Sequence, residues 1–75
     1  MKFTLTVPKT RNYTAESLMI EYANNTHGVT IVRDRYFTSF LLRNCVWYEY
    51  DHMHRQANAD NTETVTVFLK EKART

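Results

Sequence analysis

The sequence predicts an α+β domain in which a small antiparallel β-sheet of about four strands carries one or two α-helices packed on one face. Residues 2–7, 45–51 and 63–70 alternate between apolar and polar side chains, as half-buried strands do. Residues 15–23 repeat their apolar side chains at helical spacing. A single glycine and a single proline occur in 75 residues, which favours one compact domain over residues 1–75.

The first strand and the first helix have clear ends. Pro8 is expected to end the strand over residues 2–7, because proline donates no hydrogen bond to a sheet. Thr14 suits the N-cap of a helix that begins at Ala15. Gly28 is expected at the C′ position after this helix, where a left-handed backbone is common. The predicted apolar face of the helix consists of Ala15, Leu18, Met19, Tyr22 and Ala23.

The middle of the chain allows two interpretations. Residues 29–33 are rich in β-branched side chains and predict a second strand. Residues 34–44 favour a helix with Asp34 as N-cap and Asn44 as its stop. The alternative is a strand that meets Cys45 through a tight turn at residues 43–44.

The two strands at 45–51 and 63–70 predict an antiparallel hairpin, with a polar loop over residues 52–62 between them. Cys45 is the single cysteine of the chain, so no disulfide can form within it. This cysteine usage suits a reducing compartment, and the thiol is expected to be buried as a small apolar group.

Charge and hydropathy predict a cytoplasmic protein that does not bind membranes. The alternating start of the chain lacks the apolar stretch of a signal peptide, and no window reaches the length of a membrane span. The net charge is +2, and the basic residues are spread more widely than in the basic stripe of a dedicated DNA-binding protein.

The sequence predicts no enzyme activity, metal or cofactor. His52 and His54 would point the same way from a strand, but a structural metal site needs four ligands, and the spacing of known zinc motifs is missing. Ser17 and Ser39 have no assigned histidine partner for nucleophilic catalysis. A chain of this size also has little room for a substrate pocket beside its core.

The chain has more large aromatic side chains than so small a core needs, which predicts a partly exposed aromatic face of the sheet. Such a face is typical of a partner-binding surface, where Trp and Tyr contribute most of the affinity. The predicted apolar anchors are Trp47, Tyr48 and Tyr50. The charged residues predicted to contact the partner around them are Arg33, Arg35, Arg43, Arg55, Glu49 and Asp51.

These features predict a non-enzymatic protein that acts by protein–protein binding. The expected partner is a larger host protein or protein–nucleic-acid complex. The expected effect is inhibition or regulation of that partner, in the way that small phage or mobile-element proteins inhibit or regulate host defence and nucleic-acid-handling complexes. The alternative is direct RNA or DNA binding by the aromatic sheet face and the basic residues. A homodimer through a sheet edge or through the aromatic face would hide the same surface.

Overall fold

The computed structural model describes residues 1–33 and 39–72, apart from the side chain of Ser39. The α+β class is confirmed, but the described residues form five strands instead of about four, with one helix. In chain order the elements are β1 (Lys2–Pro8), α1 (Ala15–Asn24), β2 (Val29–Arg33), β3 (Ser39–Arg43), β4 (Val46–Ala57) and β5 (Thr62–Glu71). Among the described residues, no helix is long and apolar enough to cross a membrane.

The five strands form one sheet in the order β1-β5-β4-β3-β2, with every neighbouring pair antiparallel. Strands β2 to β5 are consecutive neighbours, and β1 lies beside β5. Strands β1 and β2 are therefore the two edges of the sheet. Since α1 follows β1 and precedes β2, it crosses one face of the sheet, where it lies against β2 and β3.

The face under α1 holds the main core, and we call it the helix face. In β1 and β5, Phe3 lies opposite Val67, and both side chains are buried. Phe3 also stacks on Tyr22 of α1, with ring centroids 4.3 Å apart. The buried core side chains are Phe3, Val7, Leu18, Met19, Ala23, Val29, Leu41, Val65, Val67 and Leu69. The period-two pattern of β1 and the helical pattern of α1 are thus confirmed as core-facing patterns.

The start of α1 is confirmed at the predicted N-cap. The backbone N–H of Ser17 donates to Thr14 Oγ1 at 3.1 Å, and the backbone N–H of Thr14 donates to Ser17 Oγ at 2.9 Å. This reciprocal pair satisfies backbone donors that the first turn of a helix leaves open. The predicted end is wrong by two residues, because the C-cap is Asn25. Gly28 has a positive φ of 83°, but it lies in the turn before β2.

Replacing Thr14 by alanine is expected to destabilise the protein by about 1 kcal/mol, because one backbone donor of the first turn loses its acceptor. The measurement is the free energy of unfolding in urea. Thr10→Ala is the matched control, since Thr10 is an exposed threonine in the turn before α1. If both variants lose almost no free energy of unfolding, the cap does not stabilise the helix.

The helix favoured for residues 34–44 is wrong for Ser39–Arg43, which form β3. Residues 34–38 lie outside the described residues, and Asn44 lies in the turn after β3. Leu41 points to the helix face and is fully buried, whereas the neighbouring Phe40 packs on the opposite side of the sheet against Trp47. A strand places apolar neighbours on both faces of a sheet in this way, and contacts with β2 and β4 outweigh the helix-like spacing.

The connection from β3 to β4 is a two-residue turn at Asn44 and Cys45, one residue later than the strand alternative placed it. Both residues have positive φ values, 52° and 64°, which suit the tight turn of a hairpin. Cys45 is exposed, so the prediction of a buried thiol is wrong.

The polar loop predicted over residues 52–62 is also wrong for most of its length. Strand β4 continues to Ala57 and β5 begins at Thr62, so only residues 58–61 connect them. The Asn58 backbone N–H donates to the Thr62 carbonyl at 2.9 Å and closes this turn. The far part of β4 is largely exposed, and polar residues extend it because backbone pairing with β5 stabilises it.

The open face of the sheet as candidate functional site

The side of the sheet opposite α1, which we call the open face, carries a second apolar cluster. Phe40 is 2% exposed, and its ring packs edge-on against Trp47, with centroids 5.9 Å apart. Register places Val32 opposite Phe40 and Leu42 opposite Trp47. Val32, Leu42 and Trp47 are half-buried. We call these four residues the tryptophan cluster, and Phe40 lies outside the main core.

A lysine borders the tryptophan cluster. Lys72 Nζ lies 4.2 Å from the centroid of the Phe40 ring, within the range of a cation–π contact. The backbone N–H of Lys72 donates to the Trp47 carbonyl at 2.7 Å, which holds the end of β5 beside the cluster. The tryptophan cluster is thus an apolar patch with a positive charge at its margin.

A second group of rings lies farther along the same face. His52 stacks on Phe68, with centroids 4.4 Å apart and planes nearly parallel. Lys2 Nζ is 5.9 Å from the Phe68 ring centroid. His52 Nδ1 and Asp51 Oδ2 are 2.9 Å apart, which places a carboxylate beside the stack.

An irregularity in β4 decides which side chains reach this face. The register of β4 against β5 shifts between Tyr50 and His52. Before the shift, Trp47 points to the open face; after it, His52 and His54 do, opposite Phe68 and Thr66. A bulge of this kind inserts one extra residue and exchanges the faces of the residues that follow. Within the described residues, no group of three His, Cys, Asp or Glu side chains could hold a metal ion.

The structure separates the three predicted aromatic anchors. Trp47 lies on the open face in contact with Phe40. Tyr48 lies opposite Leu41 and packs against the main core on the helix face. Tyr50 lies opposite Leu69 and is 40% exposed. The sequence interpretation missed Val32, Phe40 and Leu42, although the alternation around Leu41 could have indicated them.

The predicted charged residues lie in different places. Arg33 pairs with Glu16 of α1. Arg55 Nε is 3.9 Å from Glu63 Oε2 on the hairpin, and Arg43 is exposed at the end of β3. Arg35 lies outside the described residues.

The open face carries charges of both signs. Glu49 lies opposite Phe40 in the register, and its carboxylate is 3.7 Å from Lys70 Nζ. Asp51 lies at the bulge beside His52. The aromatic rings of the open face therefore stand among both ammonium and carboxylate groups.

Tyr13 fixes the segment before α1 to the hairpin. Its hydroxyl donates to Glu63 Oε1 at 2.5 Å, and the Arg55 guanidinium lies 5.8 Å from its ring centroid. Partial burial, and then the hydrogen bond to Glu63, raise the pKa of Tyr13 above 10.0. The neutral phenol is the form that the folded protein favours.

This raised pKa predicts a loss of stability at alkaline pH. The contribution of Tyr13 is fully present below the unfolded value of 10.0 and is lost as pH rises through the higher folded value. The free energy of unfolding of the wild type should exceed that of Tyr13→Phe near neutral pH, and the difference should narrow as the pH rises above about 10. Urea titrations at several pH values measure this, and a difference that stays constant would contradict the role given to the hydroxyl.

Comparisons with protein families, curated proteins and solved structures give no match to this chain. Function must therefore be inferred from the surfaces of the protein itself. The most informative of them is the open face, because it combines an apolar cluster with charged neighbours and lies opposite the helix.

Proposed function

We propose that this protein is a non-enzymatic binding protein that acts by contact with another protein, through the tryptophan cluster on the open face. One observation carries the proposal. The sheet has its helix and main core on one face, yet the other face holds a buried Phe40 surrounded by half-buried Val32, Leu42 and Trp47. The half-buried Val32, Leu42 and Trp47 keep part of their apolar surface accessible. Accessible apolar surface on a small protein is typical of an interaction site, and tryptophan is among the side chains that contribute most to binding.

The surroundings of the cluster support an interface. Lys72 lies at its margin, and the pair of Lys70 and Glu49 lies beside it. A charged rim around an apolar centre is the usual organisation of a protein–protein interface. Because the rim carries both signs of charge, it is complementary to a partner surface with mixed charges rather than to a uniformly charged polymer.

The proposed partner is a larger host protein or protein–nucleic-acid complex, and the proposed effect is inhibition or regulation, as for a small protein of phage or mobile-element type. Support comes from the rigid character of the chain. It contains one glycine, and its described turns are short. A surface presented on paired strands loses little conformational freedom on binding, which favours affinity.

Single-stranded RNA or DNA is the second candidate for the open face. The specific observation in its favour is the stack of His52 on Phe68 with Lys2 above the ring, together with Lys72 above Phe40. Rings that stack with bases and ammonium groups that pair with phosphates are the elements of such a site. The carboxylates of Glu49 and Asp51 would repel the phosphates of this ligand.

Two binding measurements decide between the candidates. Affinity capture from the natural host, followed by mass spectrometry, should identify a protein whose recovery falls with Trp47→Ala. Titration with single-stranded and duplex oligonucleotides should show no binding at near-physiological salt. Oligonucleotide binding that weakens steeply with salt and is reduced by Lys2→Ala, but not by the control Lys9→Ala in the turn after β1, would overturn the protein-binding proposal in favour of the second candidate.

A further inference from the structure

Strand β2 is an edge strand of the sheet formed by the described residues. Its residues Val29–Arg33 pair with β3 on one side. Within residues 1–33 and 39–72, no strand pairs with its other side. The backbone N–H and C=O groups along a free strand edge are a template for one more extended strand. The occupant that this edge fits is therefore another β-strand.

The two edges of the sheet differ in how they are protected. Strand β1 has Lys2 at its start and Pro8 at its end, and both residue types discourage pairing with a further strand. Strand β2 reads Val-Thr-Ile-Val-Arg, with four β-branched residues and no proline. Its register with β3 runs without a shift. Strand β2 is thus the edge better suited to pair.

Apolar side chains flank β2 on both faces. On the helix face, Ile20 and Ile31 line a shallow groove of about 350 Å³ together with Glu16 and Arg33. On the open face, Val32 is half-buried at the margin of the tryptophan cluster. A strand added to this edge would cover apolar surface on both sides of the sheet, so burial would add to the backbone hydrogen bonds.

We propose that the added strand is β2 of a second copy, paired antiparallel about a two-fold axis at Ile31. In this register Ile31 faces Ile31, Thr30 faces Val32, and Val29 faces Arg33 of the other copy. The charged side chains do not meet, since four residues separate the two arginines by about 14 Å along the strands. Each Arg33 keeps its ion pair with Glu16 of its own chain.

The pairing joins the two sheets into one. It also brings the two tryptophan clusters toward a common open face, because Val32 is the member of the cluster on the edge strand. The inference goes beyond the proposed function and does not depend on it, because it concerns the edge of the sheet and is tested without any partner.

The first test is the mass of the protein in solution, measured by sedimentation equilibrium over a range of concentrations. The expected mass is twice the 9.0 kDa of the chain. A mass of one chain at every concentration would overturn the proposal.

The second test is disulfide trapping in a Cys45→Asn background, where asparagine tolerates the left-handed turn position. Ile31→Cys should form a covalent dimer on mild oxidation, because the two thiols lie opposite each other. The control is Thr30→Cys, which should form no covalent dimer with itself. A mixture of Thr30→Cys and Val32→Cys chains should cross-link, because these two positions face each other. A dimer in which Thr30→Cys cross-links with itself, or in which the mixed pair fails to, would contradict this register.

Discussion

The Leu41→Ala variant is expected to lose about 3–4 kcal/mol of stability, a large part of the total for a domain of this size. Leu41 belongs to β3, and its side chain is fully buried in the main core on the helix face. Removing its side chain leaves a cavity that the surrounding strands and α1 cannot fill. Urea denaturation measures the loss, and the variant should be partly unfolded before denaturant is added.

Leu42→Ala is the matched control, because it makes the same chemical change one residue later in the same strand. Leu42 lies opposite Trp47 on the open face and is half-buried. Its expected cost is about 1 kcal/mol, as for a side chain that keeps contact with solvent. Equal losses in the two variants would mean that both faces are packed alike, which would contradict the division into a helix face and an open face.

The Trp47→Ala variant is expected to weaken binding to the captured partner by about 2 kcal/mol or more, roughly 30-fold in Kd. The indole is the largest side chain of the tryptophan cluster, and its contact with Phe40 places it at the centre of the proposed interface. Isothermal titration calorimetry measures the affinity. Because Trp47 is half-buried, the melting temperature should fall by only a few degrees.

Tyr50→Ala is the control for this binding experiment. Tyr50 is also a large aromatic residue of β4 and is 40% exposed, but it points to the helix face. Its replacement should leave the affinity unchanged. If Tyr50→Ala weakens binding and Trp47→Ala does not, the partner binds the helix face and the proposed function needs a different surface.

The elements that could be predicted from the sequence are those whose hydrophobic pattern and end signals lie within a few neighbouring residues. Strand β1 and helix α1 have a clear alternation and a clear helical stripe, and Thr14 marks the helix start through contacts with Ser17 three residues away. Strand β2 was predicted with its observed bounds, because β-branched residues follow a turn at Gly28. In each case a few neighbouring residues determine the structure.

Strand β3 could not be predicted in this way, because its apolar residues fit two patterns. Phe40 and Leu41 are adjacent, as they would be on one side of a helix, but they pack on opposite faces of the sheet. The contacts that decide between the patterns come from β2 and β4. Such pairing is tertiary information that a short window of sequence does not contain.

The composition of the candidate surface could be predicted from the sequence only in part. An aromatic surface on β4 was expected, yet its members could not be assigned to a face. The bulge between Tyr50 and His52 reverses the alternation, and the far part of β4 has no apolar pattern because it is largely exposed. Trp47 is the predicted anchor that lies in the tryptophan cluster, and its neighbours there come from β2 and β3.

The most direct test of the proposed interface is side-chain oxidation footprinting of the protein with and without its captured partner, read out by mass spectrometry. If the tryptophan cluster is the interface, the partner will protect Trp47 and Leu42 on the open face from oxidation, while Tyr50 and Ile20 on the helix side react as before. Protection of Tyr50 and Ile20 with unchanged oxidation of Trp47 would contradict this interface.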